Sequence, residues 1–180
     1  QRWPECGARS IGGWSHQRCV RPWGMDGLTI VYEYEGLMQK IVKEIKYRFC
    51  RELIGVCLEG IDGFKEEKEG VVVPIPLHWQ RENWRGFNQA KLIAERLVGK
   101  ERVEEILVRK RASKPVAEME AEKRKEEVKE IFGLRNGKKV KGRVVILVDD
   151  VFTSGATMKE ATKILKKSGA KKVFGWVLAG

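Results

Sequence analysis

Val144, Val145, Ile146, Leu147 and Val148 form an unbroken apolar run that ends on two adjacent carboxylates, Asp149 and Asp150. A short run of this kind, rich in β-branched residues and without polar alternation, reads as a strand covered on both faces. In a soluble chain that means a mainly parallel sheet with helices above and below. The carboxylates then fall at the strand's C-terminal end, where open α/β sheets bind their ligands. Beyond them, Val151 leads into Thr153, Ser154, Gly155, Ala156 and Thr157, a small, hydroxyl-rich run that opens the next helix. Orphan amides and the positive end of a helix dipole there suit one phosphate. A core strand, a solvated Asp pair and a simple helix cap account for the apolar run. They leave the crowded like charges and the Thr-Ser-Gly-Ala-Thr run without a reason. Two carboxylates for hydroxyls beside a nest for a phosphate are what a sugar phosphate needs.

The rest of the chain alternates strand and helix. Residues 28–34 read as a strand. Residues 36–49 read as a helix with Leu37, Ile41, Ile45 and Phe49 on one face, and 51–61 continue helically. Residues 62–70 form a charged loop. Residues 71–73 are a strand running into Pro74-Ile75-Pro76. Asn88 can cap a helix that buries Leu92, Ile93 and Leu97. A strand over 103–108, a basic loop over 109–115 and a charged helix over 117–131 follow. The strand at 144–148, a helix over 157–168 stopped by Gly169, and a strand over 173–178 complete the chain. This order predicts an α/β fold with a mainly parallel twisted sheet flanked by helices.

Residues 1–27 read as a separate small module ahead of a main domain over 28–180. The module is too short for a core of its own and calls for a staple. Cys6, His16 and Cys19 are three candidate zinc ligands. Structural zinc takes four, and Trp3 stands where a Cys-x2-Cys knuckle would place its first. Cys50 and Cys57 read instead as buried small apolar residues in helices.

The chain has 180 residues, 42% hydrophobic and 34% charged, with a net charge of +11. That excludes a disordered chain, and no apolar run approaches the ~18 residues of a membrane helix. The charge points to anionic partners, phosphates or nucleic acid or both, although Lys/Glu neighbours between Lys100 and Lys141 also fit a solvated surface. Neither G-x-x-x-x-G-K-[ST] nor G-x-G-x-x-G occurs, against P-loop and Rossmann readings. A secreted disulfide framework does not fit, and a cytoplasmic location is expected.

The segment VVILVDDVFTSGAT resembles the phosphoribosyl-pyrophosphate (PRPP) loop of type I phosphoribosyltransferases. VVVPIPLHWQRENWRGFNQAKLIAERL, the Lys46-Tyr47 pair and the Cys/His knuckle before Asp26-Gly27-Leu28 resemble the ComF branch of that superfamily. The resemblance covers nearly the whole chain. It implies a Mg²⁺-dependent phosphoribosyltransferase with an unknown acceptor. The 5′-phosphate would sit on Thr153 to Thr157 and the ribose hydroxyls on Asp149 and Asp150. The pyrophosphate would lie across Pro74-Ile75-Pro76, whose turn can aim backbone amides at it; family members often carry a strained or cis peptide there. Arg85, inside Arg-Gly-Phe-Asn-Gln, is placed with Asp149 and Asp150 in the catalytic set. Arg81, and the basic residues Arg109, Lys110, Arg111 and Lys114 of a mobile hood, are candidates for the pyrophosphate, with an exposed charge run as the bland alternative. His78, on a loop after Pro76, reads as a surface residue. Two further readings stand beside the enzyme. One is a PRPP-binding adaptor without turnover in DNA uptake, recombination or repair, with a helicase-like partner by analogy. The other is a single-stranded DNA binder, to which Trp14, Trp23 and Trp84 would lend stacking surfaces.

Overall fold

The computed structural model describes residues 24–61, 70–110, 131–135 and 137–180. The zinc-ligand candidates Cys6, His16 and Cys19, the hood residues Arg111 and Lys114, and all but Ile131 of the helix expected over 117–131 lie outside them. The central sheet has four strands in the order β1-β6-β5-β2: β1 (Gly27–Tyr32), β6 (Lys172–Ala179), β5 (Val144–Val151) and β2 (Val71–Pro74). Every neighbouring pair is parallel. Helices α1 (Gly36–Tyr47) and α2 (Glu52–Leu58) join β1 to β2; α3 (Trp79–Arg85) and α4 (Gln89–Val98) follow β2; α5 (Ala156–Lys167) joins β5 to β6. A separate antiparallel ribbon pairs β3 (Leu107–Arg109) with β4 (Phe132–Leu134).

The apolar run of β5 is buried on both sides, as its composition requires. Val145 and Leu147 face a cluster with Met158, Ala161 and Leu165 of α5 and Phe132 of the ribbon. Ile146 and Val148 face the opposite cluster, with Ile45 of α1, Ile54 of α2, and Ile93 and Ala94 of α4. Alternate residues of one strand thus clamp two helical layers, each large apolar side chain contributing ~1.5–3 kcal/mol of burial.

The elements differ from the sequence pattern where backbone geometry intervenes. The first helix stops at Tyr47, because Phe49 takes a left-handed φ of 61°. Of the expected apolar face only Ile45 is fully buried; Ile41 is partly covered, and Leu37 and Phe49 are exposed. Cys50 therefore lies between helices and is half-buried, whereas Cys57 is buried in α2 as expected. The strand expected over 103–108 splits. Val103 bridges Val72 in parallel at the sheet edge, and only 107–109 form a strand, in the ribbon. Asn88 caps α4 by accepting from Ala90 N–H at 3.0 Å and Lys91 N–H at 3.5 Å. Its buried face is Ala90, Ile93 and Ala94, with Leu92 and Leu97 only partly covered. No helix among the described residues is long and apolar enough to cross a membrane.

Candidate active site

β5 stays in the sheet through its acidic end: Asp149 is in register with Val177, and Val151 with Ala179. Strand alternation sends Asp149 to the α5 side and Asp150 to the α1 side. Asp149 accepts the Asp150 N–H on Oδ1 at 2.9 Å. On the far side, Lys46 Nζ at the end of α1 sits 2.8 Å from Asp150 Oδ2, with both side chains largely buried. Burial alone would lower the Lys46 pKa, but the Asp150 and Asp149 carboxylates outweigh it and hold the ammonium above its ordinary value. Asp149 is pushed the other way. Burial first, and the neighbouring Asp150 charge second, raise its carboxyl to about 8, with Lys46 opposing. The two adjacent acids therefore differ in their surroundings: Asp150 pairs with an ammonium, and Asp149 resists ionising.

The chain leaves β5 through Phe152, whose N–H donates to Ala179 O at 2.8 Å. Gly155 then turns into α5 with φ 69°. A Cβ at Gly155 would lie 2.3 Å from the Phe152 ring, so both the backbone angle and the space demand glycine. Asp149 and residues 151–158 line a small open cleft. Ser154 Oγ accepts the Ala156 N–H at 3.5 Å, and the first turn of α5 carries no acidic residue. An anion here meets amide donors and the positive end of a twelve-residue helix.

The second flank is cationic. Arg85 closes α3 and is buried, with Nη1 donating to Gln89 Oε1 of α4. Burial lowers its pKa and Asp150 opposes that, but a guanidinium stays protonated at neutral pH. Arg109 on β3 lies over the Phe132 ring at 5.8 Å. It too is lowered by burial and by Arg81, with Asp149 attracting it. Lys46, Arg81, Arg85 and Arg109, drawn from three elements, thus surround two carboxylates. The arrangement suits a ligand with several negative charges and free hydroxyls.

Residues 50–179 match the family described as phosphoribosyl transferase domain. The chain is 34% identical over 153 residues to competence protein ComFC of Bacillus subtilis (strain 168), covering 82% of this chain and 62% of that protein. It is 30% identical over 193 aligned positions to DNA utilization protein YhgH of Escherichia coli (strain K12), covering 97% and 82%. Competence protein F of Haemophilus influenzae is 33% identical over 112 residues, or 60% and 49% of the two chains. The chain belongs to the ComF family of phosphoribosyltransferase-like proteins. It spans 62% of the length of ComFC.

Within this ComF-family fold, Asp149, Asp150 and the 153–157 loop come together at one strand end, and Arg81, Arg85 and Arg109 share its neighbourhood. Lys110 is exposed on the ribbon, its N–H donating to Ile131 O at 2.7 Å. Two readings change. The Pro74-Ile75-Pro76 turn offers no amide at its centre: the Ile75 N–H donates to Val148 O at 2.9 Å, and the prolines have none. Its carbonyl is also held, by Asn88 Nδ2 at 3.0 Å. The turn is therefore braced into the sheet. All peptide bonds among the described residues are trans. His78 is not a surface residue; it is 7% exposed and caps α3, its Nδ1 accepting the Gln80 N–H at 3.4 Å. Lys46 is the residue that sequence reasoning did not assign a role. Its one signal was the Lys46-Tyr47 pair at a helix end.

Proposed function

We propose that the chain binds PRPP with Mg²⁺ and transfers its 5-phosphoribosyl group to an acceptor not yet known. The observation that supports this most is the juxtaposition at the end of β5: two adjacent carboxylates between an amide-lined cleft and a group of partly buried cations. In this reading the 5′-phosphate takes the amides and hydroxyls of Thr153 to Thr157. Asp149 and Asp150 accept from the ribose 2′ and 3′ hydroxyls. Arg85, Arg81 and Arg109 face the pyrophosphate, and charge-assisted bonds of this type contribute roughly 1.5–3 kcal/mol each.

The paired oxygen donors fit a hard divalent ion that keeps most of its waters, and Mg²⁺ bound there would neutralise charge on the leaving pyrophosphate. The protein's own share is positioning and electrostatics. The carboxylates fix the ribose, the loop anchors its phosphate, and the arginines stabilise charge that grows on the leaving group as the anomeric carbon becomes oxocarbenium-like. The cellular setting is DNA uptake or use, as the names of the relatives suggest, with the cytoplasm as the proposed compartment, and a PRPP-sensing adaptor without turnover is the second reading. Structural Zn²⁺ on Cys6, His16 and Cys19 belongs to the same proposal.

Calorimetric titration of PRPP with Mg²⁺ tests it, beside an Asp149→Asn, Asp150→Asn double variant. Binding by the native chain and its loss in the double variant support the site. Pyrophosphate release with trial acceptors then separates enzyme from adaptor. A folded native chain that does not bind PRPP refutes both.

A further inference from the structure

The chain leaves the sheet after Ile75 and rejoins fixed structure at Asn88, whose Nδ2 donates to Ile75 O at 3.0 Å and closes the base of the excursion. Between these points lies α3. Of its seven residues only Arg85 is buried, and Trp79 and Trp84 are 61% and 60% exposed. A helix this short, with no apolar side chain in the core, is held neither by propensity nor by hydrophobic burial. Yet it carries Arg81 and a guanidinium whose direction matters. Arg85 Nη1 donates to Gln89 Oε1, while its Nε is buried without a hydrogen-bond partner among the described residues. Such a donor must be kept in place until a ligand oxygen meets it.

The neighbouring chain is anchored well. Helix α1 buries Val42 and Ile45, and its Lys46 pairs with Asp150 at 2.8 Å. Helix α2 buries Ile54, Cys57 and Leu58. Phe49 stands between these two helices and is the only non-glycine with a positive φ among the described residues, at 61°. A bulky side chain in that region is an outlier, kept where the structure has a use for it. Burial is not the use, since Phe49 is 38% exposed. Its ring meets Trp84 at 5.0 Å between centroids and 76° between planes, the edge-to-face arrangement that attracts. An ordinary negative φ would aim the ring differently.

We propose that the Phe49–Trp84 ring pair is a clasp that fixes α3 and thereby positions Arg85 against Asp150. Consecutive residues of a helix point about 100° apart, so seating the Trp84 ring sets the rotation of α3 and with it the inward direction of Arg85. Asp150 and Tyr47 both act on the Arg85 charge, which places the guanidinium over the end of α1 from which Phe49 follows. Phe49 and Trp84 are positioning residues: they act through Arg85 and do not touch the ligand. That the ligand is pyrophosphate rests on the PRPP reading above; the clasp itself does not.

Two measurements on the full chain test it: calorimetric titration of inorganic pyrophosphate with Mg²⁺, and native-state hydrogen exchange of the Glu82 and Gly86 amides, which donate to His78 O and Glu82 O. Trp84→Ala weakens pyrophosphate about fivefold and speeds exchange of both amides, and Trp84→Phe restores most of each. Ribose 5-phosphate affinity stays native in both variants, because the 153–157 loop is untouched. In an Arg85→Met background Trp84→Ala costs no further affinity, since the ring acts through the guanidinium. Phe49→Gly weakens pyrophosphate like Trp84→Ala while keeping or raising Tm, because glycine adopts the left-handed angle freely. Native exchange in Trp84→Ala overturns the clasp. So does native pyrophosphate affinity in that variant, or a further loss in the Arg85→Met background, which would put the ring on the ligand. A native chain that binds no pyrophosphate refutes the PRPP reading alone; exchange then decides the clasp, faster and rescued by Trp84→Phe in its favour, unchanged against it.

Discussion

The two sides of the β5 carboxyl end offer donors of two different kinds. On the α5 side the donors are backbone amides and hydroxyls of one contiguous loop, placed by Gly155 and the helix that it opens. On the α1 and α3 side they are formal charges, Lys46, Arg81 and Arg85, brought in from separate elements and partly buried. The loop needs shape and no counter-charge. The cationic flank needs its carboxylate partners, because a buried charge without one is costly. The first flank is therefore sensitive to volume and the second to charge.

Substitutions that add volume on one side and remove charge on the other sharpen this contrast. The largest stability effect belongs to Gly155→Ala. The new methyl meets the Phe152 ring and must adopt φ 69°. A loss of about 2–3 kcal/mol follows, read as a Tm lower by roughly 5–10 °C in thermal unfolding. Lys46→Met comes next. It leaves Asp150 buried beside a neutral side chain and removes about 2 kcal/mol, while Lys46→Arg restores most of it. A Lys46→Met protein as stable as the native chain would break the claim that this flank depends on charge pairing.

Asp149→Asn has a smaller effect and the opposite sign. The folded chain holds the Asp149 proton up to about 8, whereas an unfolded aspartate releases it near 3.9. Between those values the folded state binds more protons, so stability falls as pH rises through the window. The neutral amide of the Asp149→Asn variant removes that loss, and the Tm at pH 8 rises by about 2–4 °C while the difference vanishes at pH 4. A Tm that drops equally at both pH values would show the carboxylate to be structural.

How much was legible in the sequence follows the same division. Strand β5, the loop and α5 are contiguous, so their chemistry lies in one line of residues and was readable from Val144 to Thr157. Asn88 and Cys57 were readable for the same local reasons. Lys46 was not, because its partner Asp150 lies on a strand far along the chain and only the packing of α1 on the sheet joins them. The partner of the Ile75 amide was not legible for a like reason. That this amide is taken by Val148 O follows from the pairing of β2 with β5, which no local pattern prints. His78 looked exposed because a loop after two prolines normally is, yet it became the cap of a short helix. The end of α1 at Tyr47 turned on one backbone angle at Phe49, which periodicity does not encode.

The central claim is that both flanks hold one ligand, the loop taking its monophosphate and the arginines its pyrophosphate. Calorimetric titration of ribose 5-phosphate and of inorganic pyrophosphate with Mg²⁺, each into the native chain, Thr157→Val and Arg85→Met, tests it directly. The account predicts about a tenfold loss for ribose 5-phosphate in Thr157→Val alone, and about a tenfold loss for pyrophosphate in Arg85→Met alone. Equal losses of both ligands in either folded variant, or no loss in either, would contradict it.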